Sequence, residues 1–260
     1  LAFAMNLAAG KAELDACPYV SDESREQLAE ASAPPIRPVA IGAGATAFKV
    51  GGETVLFRHE KTFYNHCAFA GTIKDTDADA ADKAKRWASY QWERVGLTLR
   101  PEAAFVECVS GDAAKFKAAV QAVADNSDLS LILACEDPAI LGPVAAAFKD
   151  KKPLLYAATN ANADQMAKIA GDNGLPLVVK GVDLDEVMEL TNELTAAGLK
   201  DLVIDSGARD LAGIFQDNVA TRRAALNTGN RALGFPTINF ACSVSDDLPE
   251  QTPVAPQLAD

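Results

Sequence analysis

Leu129-Ser130-Leu131-Ile132-Leu133-Ala134 is apolar at five of six consecutive positions and lies between two helical patterns. A short run of this kind reads as a β-strand covered on both faces, the habit of parallel strands in α/β proteins. Similar runs stand on either side: Val55-Leu56-Phe57 and Ala104-Phe105-Val106 before it, then Leu154-Leu155-Tyr156, Leu177-Val178-Val179, Leu202-Val203-Ile204 and Thr237-Ile238. The intervening segments carry the 3.6-residue period, with Phe116, Ala119, Val120 and Val123 on one helix face and Val187, Leu190 and Leu194 on another. Asp183 with Glu186 forms a capping box at one helix start, and Gly198 sits where that helix should stop. Repeated βα units build either a (β/α)8 barrel or an open doubly wound sheet. Seven strands, with no eighth after Phe240, favour a TIM-type barrel incomplete at its C-terminal end.

Upstream of the repeats, Leu1 to Ala9 and Asp22 to Ala31 read as short helices, the second capped by Ser21. The breaker string Ala33-Pro34-Pro35-Ile36-Arg37-Pro38 ends this part and marks a domain boundary. Beyond it, Ala47-Phe48-Lys49-Val50 and Thr54-Val55-Leu56-Phe57 flank Gly51-Gly52 as an expected hairpin. The expected organisation is a small helical unit over 1–32, a linker with hairpin over 33–53, and the barrel over 54–260. The chain opens on Leu1 at full hydrophobic density without a capping residue, which reads as the continuation of a longer protein.

The net charge of −12 opposes binding to phosphate backbones, and no basic, aromatic-laced stretch offsets it, so no nucleic-acid partner is expected. No apolar run approaches the roughly 20 residues of a membrane span, and Leu1 to Gly10 lacks a signal peptide's basic flank; no membrane partner and a cytoplasmic location are expected. Five widely spaced cysteines, at 17, 67, 108, 135 and 242, fit reduced thiols better than a disulfide framework.

Several motifs bear on chemistry. Gly42-Ala43-Gly44-Ala45-Thr46-Ala47 formally resembles a dinucleotide fingerprint, yet that motif needs a helix next, and strand-like Phe48-Lys49-Val50 follows. A Gly-rich turn is the plainer reading. His59 and His66 are the only histidines, and neither spacing nor a third ligand supports zinc. Glu107, Glu136, Asn160, Lys180 and Asp205 follow strands, so a barrel gathers them at its C-terminal mouth, where binding and acid-base groups reside. Residues at such positions also commonly cap helices, and Asp205-Ser206-Gly207 makes a good turn.

Leu1-Ala2-Phe3-Ala4-Met5, Gly10-Lys11-Ala12-Glu13-Leu14, Cys17-Pro18-Tyr19-Val20 and the stretch from Val50 to Phe63 resemble the large (gamma) subunit of the corrinoid/iron-sulfur protein of the acetyl-CoA decarbonylase/synthase (Wood-Ljungdahl) system. Val203 to Arg209 and Gly234 to Ile238 extend the resemblance to about residue 240. In that family a [4Fe-4S] domain with the motif Cys-x2-Cys-x4-Cys-x16-Cys precedes a (β/α)8 barrel and a corrinoid-binding domain. The resemblance implies that Cys17 is the fourth cluster ligand, with residues 1–16 as the spacer and the other three ligands upstream. One thiolate cannot hold a cubane cluster, so this chain alone is expected to hold neither cluster nor corrinoid. The corrinoid-binding domain is expected to be absent, and prolines at 249, 253 and 256 leave the helical state of 246–260 open.

Functionally, the resemblance implies a methyl carrier within a corrinoid-dependent methyltransferase system. It would move a methyl group from methyltetrahydropterin, by way of corrinoid cobalt (a cobalamin-type cofactor), to acetyl-CoA synthase. Implied partners are the small subunit in a heterodimer, the methyltetrahydropterin methyltransferase, and acetyl-CoA synthase/CO dehydrogenase. The barrel would then be a scaffold. The alternative is a TIM-barrel methyltransferase that binds the methylpterin itself through Asp205 and Asn160.

Overall fold

The computed structural model describes Ser21, residues 33–56 and 65–245, and positions 247, 249, 251, 254 and 255. The expected helices over 1–9 and 22–31, together with Cys17, Phe57, His59 and most of 246–260, lie outside the described residues. The chain divides into two compact units, Leu1–Pro34 and Pro35–Asp260, and the second contains every element below.

Unit two begins with an antiparallel pair, β1 (Val39–Ile41) and β2 (Phe48–Val50). The main sheet follows: β3 (Ala70–Lys74), α1 (Ala80–Ser89), a β4 (Trp92–Arg94) and β5 (Leu97–Leu99) hairpin, β6 (Ala103–Glu107), α2 (Ala113–Asn126), β7 (Ser130–Ala134) and α3 (Pro138–Phe148). It continues with β8 (Leu154–Ala158), α4 (Ala163–Asn173), β9 (Leu177–Lys180), α5 (Leu184–Ala196), β10 (Leu202–Asp205) and α6 (Leu211–Asn227). Six strands pair in parallel in the spatial order β10-β9-β8-β7-β6-β3. Each strand neighbours its predecessor in the repeat and the order never reverses, so the sheet has no switch point of the doubly wound kind. Progression in one direction is the arrangement of successive units in a (β/α) barrel. Thr237 extends it with a parallel bridge to Ile204, the remnant in this structure of the seventh expected strand.

Alternation along the strands sorts the core into two layers. Ala104, Val106, Leu131, Leu133, Leu155, Leu177, Val179, Leu202 and Ile204 face the helices, where Phe116, Val120, Leu141, Met166 and Leu194 pack on them. Ala103, Phe105, Ile132, Ala134, Leu154, Tyr156, Val178 and Val203 face the other way and meet Val39 and Ile41 of the β1–β2 pair. Both faces are therefore apolar, which is why the sequence shows runs rather than alternation. Helix starts are set by aspartates: Asp112, Asp137, Asp183 and Asp210 each accept an amide hydrogen bond from the first turn. The expected box forms with one half displaced: Glu186 Nα–H donates to the N-cap Asp183 at 2.9 Å, while the Glu186 carboxylate accepts from Val182 Nα–H at 2.7 Å, one residue before the cap.

Two expectations are corrected. Phe48–Val50 pairs with Val39–Ile41, not with Thr54–Phe57, because the turn is made by Gly42 to Ala47. Val55 and Leu56 are not in a strand, and the first strand of the sheet among the described residues is β3. The segment Ala70-Gly71-Thr72-Ile73-Lys74 has only one large apolar residue, because Trp87 of α1 fills the space above Gly71: a Cβ there would lie 2.3 Å from the indole. The β4–β5 hairpin also escaped the sequence reading. Its turn places Val95 at φ 49° and Gly96 at φ 78°, the two positive values of a type I′ turn, which favours Asn rather than a β-branched residue first.

Val95 is 95% exposed, so it contributes strain without packing. Val95→Asn is expected to raise unfolding stability by about 0.5–1 kcal/mol, read as a shifted urea midpoint at constant m-value.

Candidate functional site at the sheet's C-terminal edge

Strand ends in a singly wound parallel sheet bring consecutive βα loops to one edge, and the residues expected there divide into two groups. Asp205, the last residue of β10, is only 1% exposed. Burying a carboxylate so completely requires a cation and donors for its lone pairs. Arg209, four residues on, supplies both: Nη1 donates to Oδ1 at 2.9 Å and Nη2 to Oδ2 at 2.7 Å. Gly207 Nα–H adds a bond to Oδ1 at 2.9 Å, and the Tyr156 hydroxyl donates to Oδ2 at 2.7 Å. Gly207 adopts φ +82° here, a conformation that L side chains rarely take.

The aromatic surroundings fix this network. Phe105, Tyr156 and Phe240 meet edge to face with centroids 5.3–5.5 Å apart, and the Arg209 guanidinium lies 4.7 Å from the Phe240 centroid. Burial, reinforced by the Asp205 charge, pushes the Tyr156 hydroxyl far above its ordinary range, so it donates rather than ionises. Burial works against the Arg209 charge, yet the Asp205 hydrogen bonds outweigh it and the guanidinium is held more firmly protonated.

Beside this network, Lys180 Nζ donates to Glu136 Oε1 at 2.6 Å and lies 5.9 Å from the Tyr156 ring centroid. This pair is part-exposed and therefore contributes little stability. Glu107, half-buried, ends β6, and its backbone carbonyl accepts from Asp75. Asn160 is exposed and belongs to a separate polar pocket of about 150 Å³ with Asn162, Asp164 and Glu193. The structure thus brings Glu136, Lys180 and Asp205 to one centre and leaves Asn160 out of it.

Sequence reasoning passed over Tyr156, Arg209, Asn162 and Asp75. Asp205 and Arg209 stand four residues apart across a strand end and a loop rather than along a helix, so their spacing does not signal the contact. Asn162 is buried and joins two strand ends, accepting from Thr159 Nα–H at 2.7 Å and donating to the carbonyls of Glu136 and Ala157. Asp75, after β3, accepts from the amides of Val109 and Ser110 and from the Ser110 hydroxyl. Burial opposes its ionisation, but those bonds prevail and hold its carboxyl below the usual value.

The Gly42 segment is a turn: a 3-10 bend over Gly44–Thr46 leads directly into β2, so the helix that a dinucleotide would need is missing. Gly42 approaches Ser130 so closely that a Cβ would lie 2.0 Å from its Oγ. His66 is exposed, with Nδ1 3.1 Å from the Cys67 carbonyl. Among the described residues no group of three or more His, Cys, Asp or Glu side chains could hold a metal ion. Among them, too, no helix is long and apolar enough to cross a membrane.

Removing Asp205 alone strands the buried Tyr156 hydroxyl and a guanidinium that is about one-third exposed and can turn to solvent. Asp205→Ala is expected to lower stability by about 1–3 kcal/mol, while the double variant D205A/R209M recovers part of that loss. Chemical denaturation of the four proteins in the cycle measures both.

Comparison with known proteins now bears on this geometry. The family model described as CO dehydrogenase/acetyl-CoA synthase delta subunit matches residues 38–247. The corrinoid/iron-sulfur protein large subunit of Moorella thermoacetica is 45% identical over 240 residues, covering 92% of this chain and 54% of that protein. Acetyl-CoA decarbonylase/synthase complex subunit gamma 2 of Methanosarcina mazei is 33% identical over 248 residues, and subunit gamma of Methanopyrus kandleri is 33% identical over 243. Each match covers 91% of this chain, and 53% and 52% of those proteins. The chain spans about half the length of the curated relatives it matches. With its β1–β2 pair and the whole βα sheet inside the matched region, the chain belongs to the CO dehydrogenase/acetyl-CoA synthase delta subunit family, alongside the large and gamma subunits of corrinoid/iron-sulfur proteins.

Proposed function

We propose that this chain is the barrel portion of a methyl carrier in the reductive acetyl-CoA pathway, acting as a scaffold rather than as the centre of methyl transfer. In this reading the whole protein moves a methyl group from methyltetrahydropterin to acetyl-CoA synthase. A corrinoid supplies the methyl-accepting cobalt when bound, and a [4Fe-4S] cluster, with Cys17 as one ligand, supplies its reducing electrons. The partners are a small subunit, the methyltetrahydropterin methyltransferase and acetyl-CoA synthase/CO dehydrogenase. An apolar cavity of about 610 Å³, on which Phe105, Ile132, Leu154 and Val203 of successive strands converge with Phe48 and Phe240, supports the barrel reading, since inward-facing strand residues meet around a barrel's axis.

One observation carries the scaffold reading: the carboxylate of Asp205 is fully engaged inside the protein. Its two oxygens accept four hydrogen bonds, from Arg209, Tyr156 and Gly207. A methyltransferase that grips a pterin needs a carboxylate able to accept from the ligand, and freeing this one would leave Arg209 without its anion. Asn160, the other group that such a reading needs, lies in a separate pocket.

Glu107 and Glu136 are the carboxylates at this edge that can be changed without opening the buried network. The double variant E107Q/E136Q, introduced into the full-length protein and assembled with the small subunit, is expected to transfer methyl groups at a rate within about twofold of the parent. A loss on the order of a hundredfold, with assembly and melting temperature intact, would sink the scaffold reading.

A further inference from the structure

Cys108 and Cys135 have no part in the site above, yet the sheet places them side by side. Register pairs Glu107 with Ala134 on the parallel strands β6 and β7, so the next rung sets Cys108 opposite Cys135. The backbone confirms the rung, with Cys108 Nα–H on the Ala134 carbonyl at 2.8 Å. Adjacent strands lie about 4.7–4.9 Å apart, inside the Cα separation of about 4.4–6.8 Å that a disulfide spans. Both side chains are on the helix-facing side: Cys135 belongs to that core and Cys108 packs against it. Cys135 Sγ lies 3.7 Å from the Asp137 carbonyl, which leaves it beside the Cys108 rung. Both are free thiols, Cys135 buried and Cys108 part-exposed.

We propose that Cys108 and Cys135 form an oxidisable dithiol that closes into an intramolecular disulfide on reaction with a small disulfide, tying the loop after β6 to the loop after β7. The more accessible Cys108 loses its proton, and its thiolate attacks one sulfur of the small disulfide. An S–S bond forms, and the first small thiol departs and takes up a proton. Cys135, deprotonated in turn, attacks the Cys108 sulfur and expels the second small thiol. The balance is two protein thiols oxidised by two electrons and one small disulfide reduced to two thiols.

The surroundings set the conditions for this reaction. Burial, then the neighbouring Cys135, pushes the Cys108 thiol up to about 12. Burial likewise raises Cys135. The carboxylates facing the pair, Asp75 at the end of β3 and Asp137 at the start of α3, act in the same direction. The pair therefore stays protonated near neutrality, and closure speeds up with pH because only thiolate attacks.

Native protein incubated with excess glutathione disulfide, then quenched, alkylated and digested, tests this by mass spectrometry. The expected product is a Cys108–Cys135 cross-linked peptide pair lighter by two hydrogens, formed about tenfold faster for each unit of pH between 7 and 9. Cys135→Ser should trap glutathione on Cys108 instead. Recovery of both cysteines as alkylated thiols, a lasting glutathione adduct on Cys108 of the parent protein, or a rate independent of pH would overturn the proposal.

Discussion

A carboxylate with 1% of its surface exposed cannot remain charged without compensation, and Asp205 organises its neighbourhood around that requirement. Arg209 must reach back over one turn of chain, which Gly207 permits through its positive φ, and Tyr156 must present its hydroxyl from β8. Arg209 then lies on Phe240, and Phe240 closes an aromatic triad with Phe105 and Tyr156. One ion pair thereby ties β6, β8, β10 and the segment after α6 into a single apolar-walled plug. Such a pair adds little net stability over an apolar filling of the same volume, but removing one partner still costs stability. The same arithmetic makes Asp205 a poor ligand-binding group.

This reasoning extends to the acidic character of the chain. A net charge of −12 suggests a reactive or repulsive surface, yet many carboxylates at the sheet's C-terminal edge have structural employment. Asp112, Asp137, Asp183 and Asp210 cap helices, Asp75 binds the loop after β6, and Glu136 pairs with Lys180. An edge whose acids are committed in this way positions loops. That suits the scaffold role proposed above better than acid-base catalysis.

The core strands β6 to β10 were legible because both of their faces are buried and their runs are therefore continuous. The helices between them were legible from period and caps, down to the Asp183–Glu186 box. β3 was not legible: Trp87 supplies from another element the volume that Gly71 lacks, and no local pattern records that. The β4–β5 turn was hidden because Val95 sits where an asparagine is expected. At the site, position after a strand correctly placed Glu136, Lys180 and Asp205 at one edge, but it could not separate Asn160 from them. It also gave no sign that Tyr156, read as an apolar core residue, would turn its hydroxyl onto Asp205. Strand-end position carries the register of a residue; what its side chain is already bonded to comes only from partners far along the chain.

Whether this edge binds a pterin is the direct question. Isothermal titration of the purified chain with methyltetrahydrofolate, in the absence of any methyltransferase, should give no saturable heat up to about 1 mM ligand, where a dissociation constant corresponds to about 4 kcal/mol. Saturable micromolar binding that is lost on replacing Asp205 by asparagine would contradict the account, because it would show that the Asp205 carboxylate is available to a ligand.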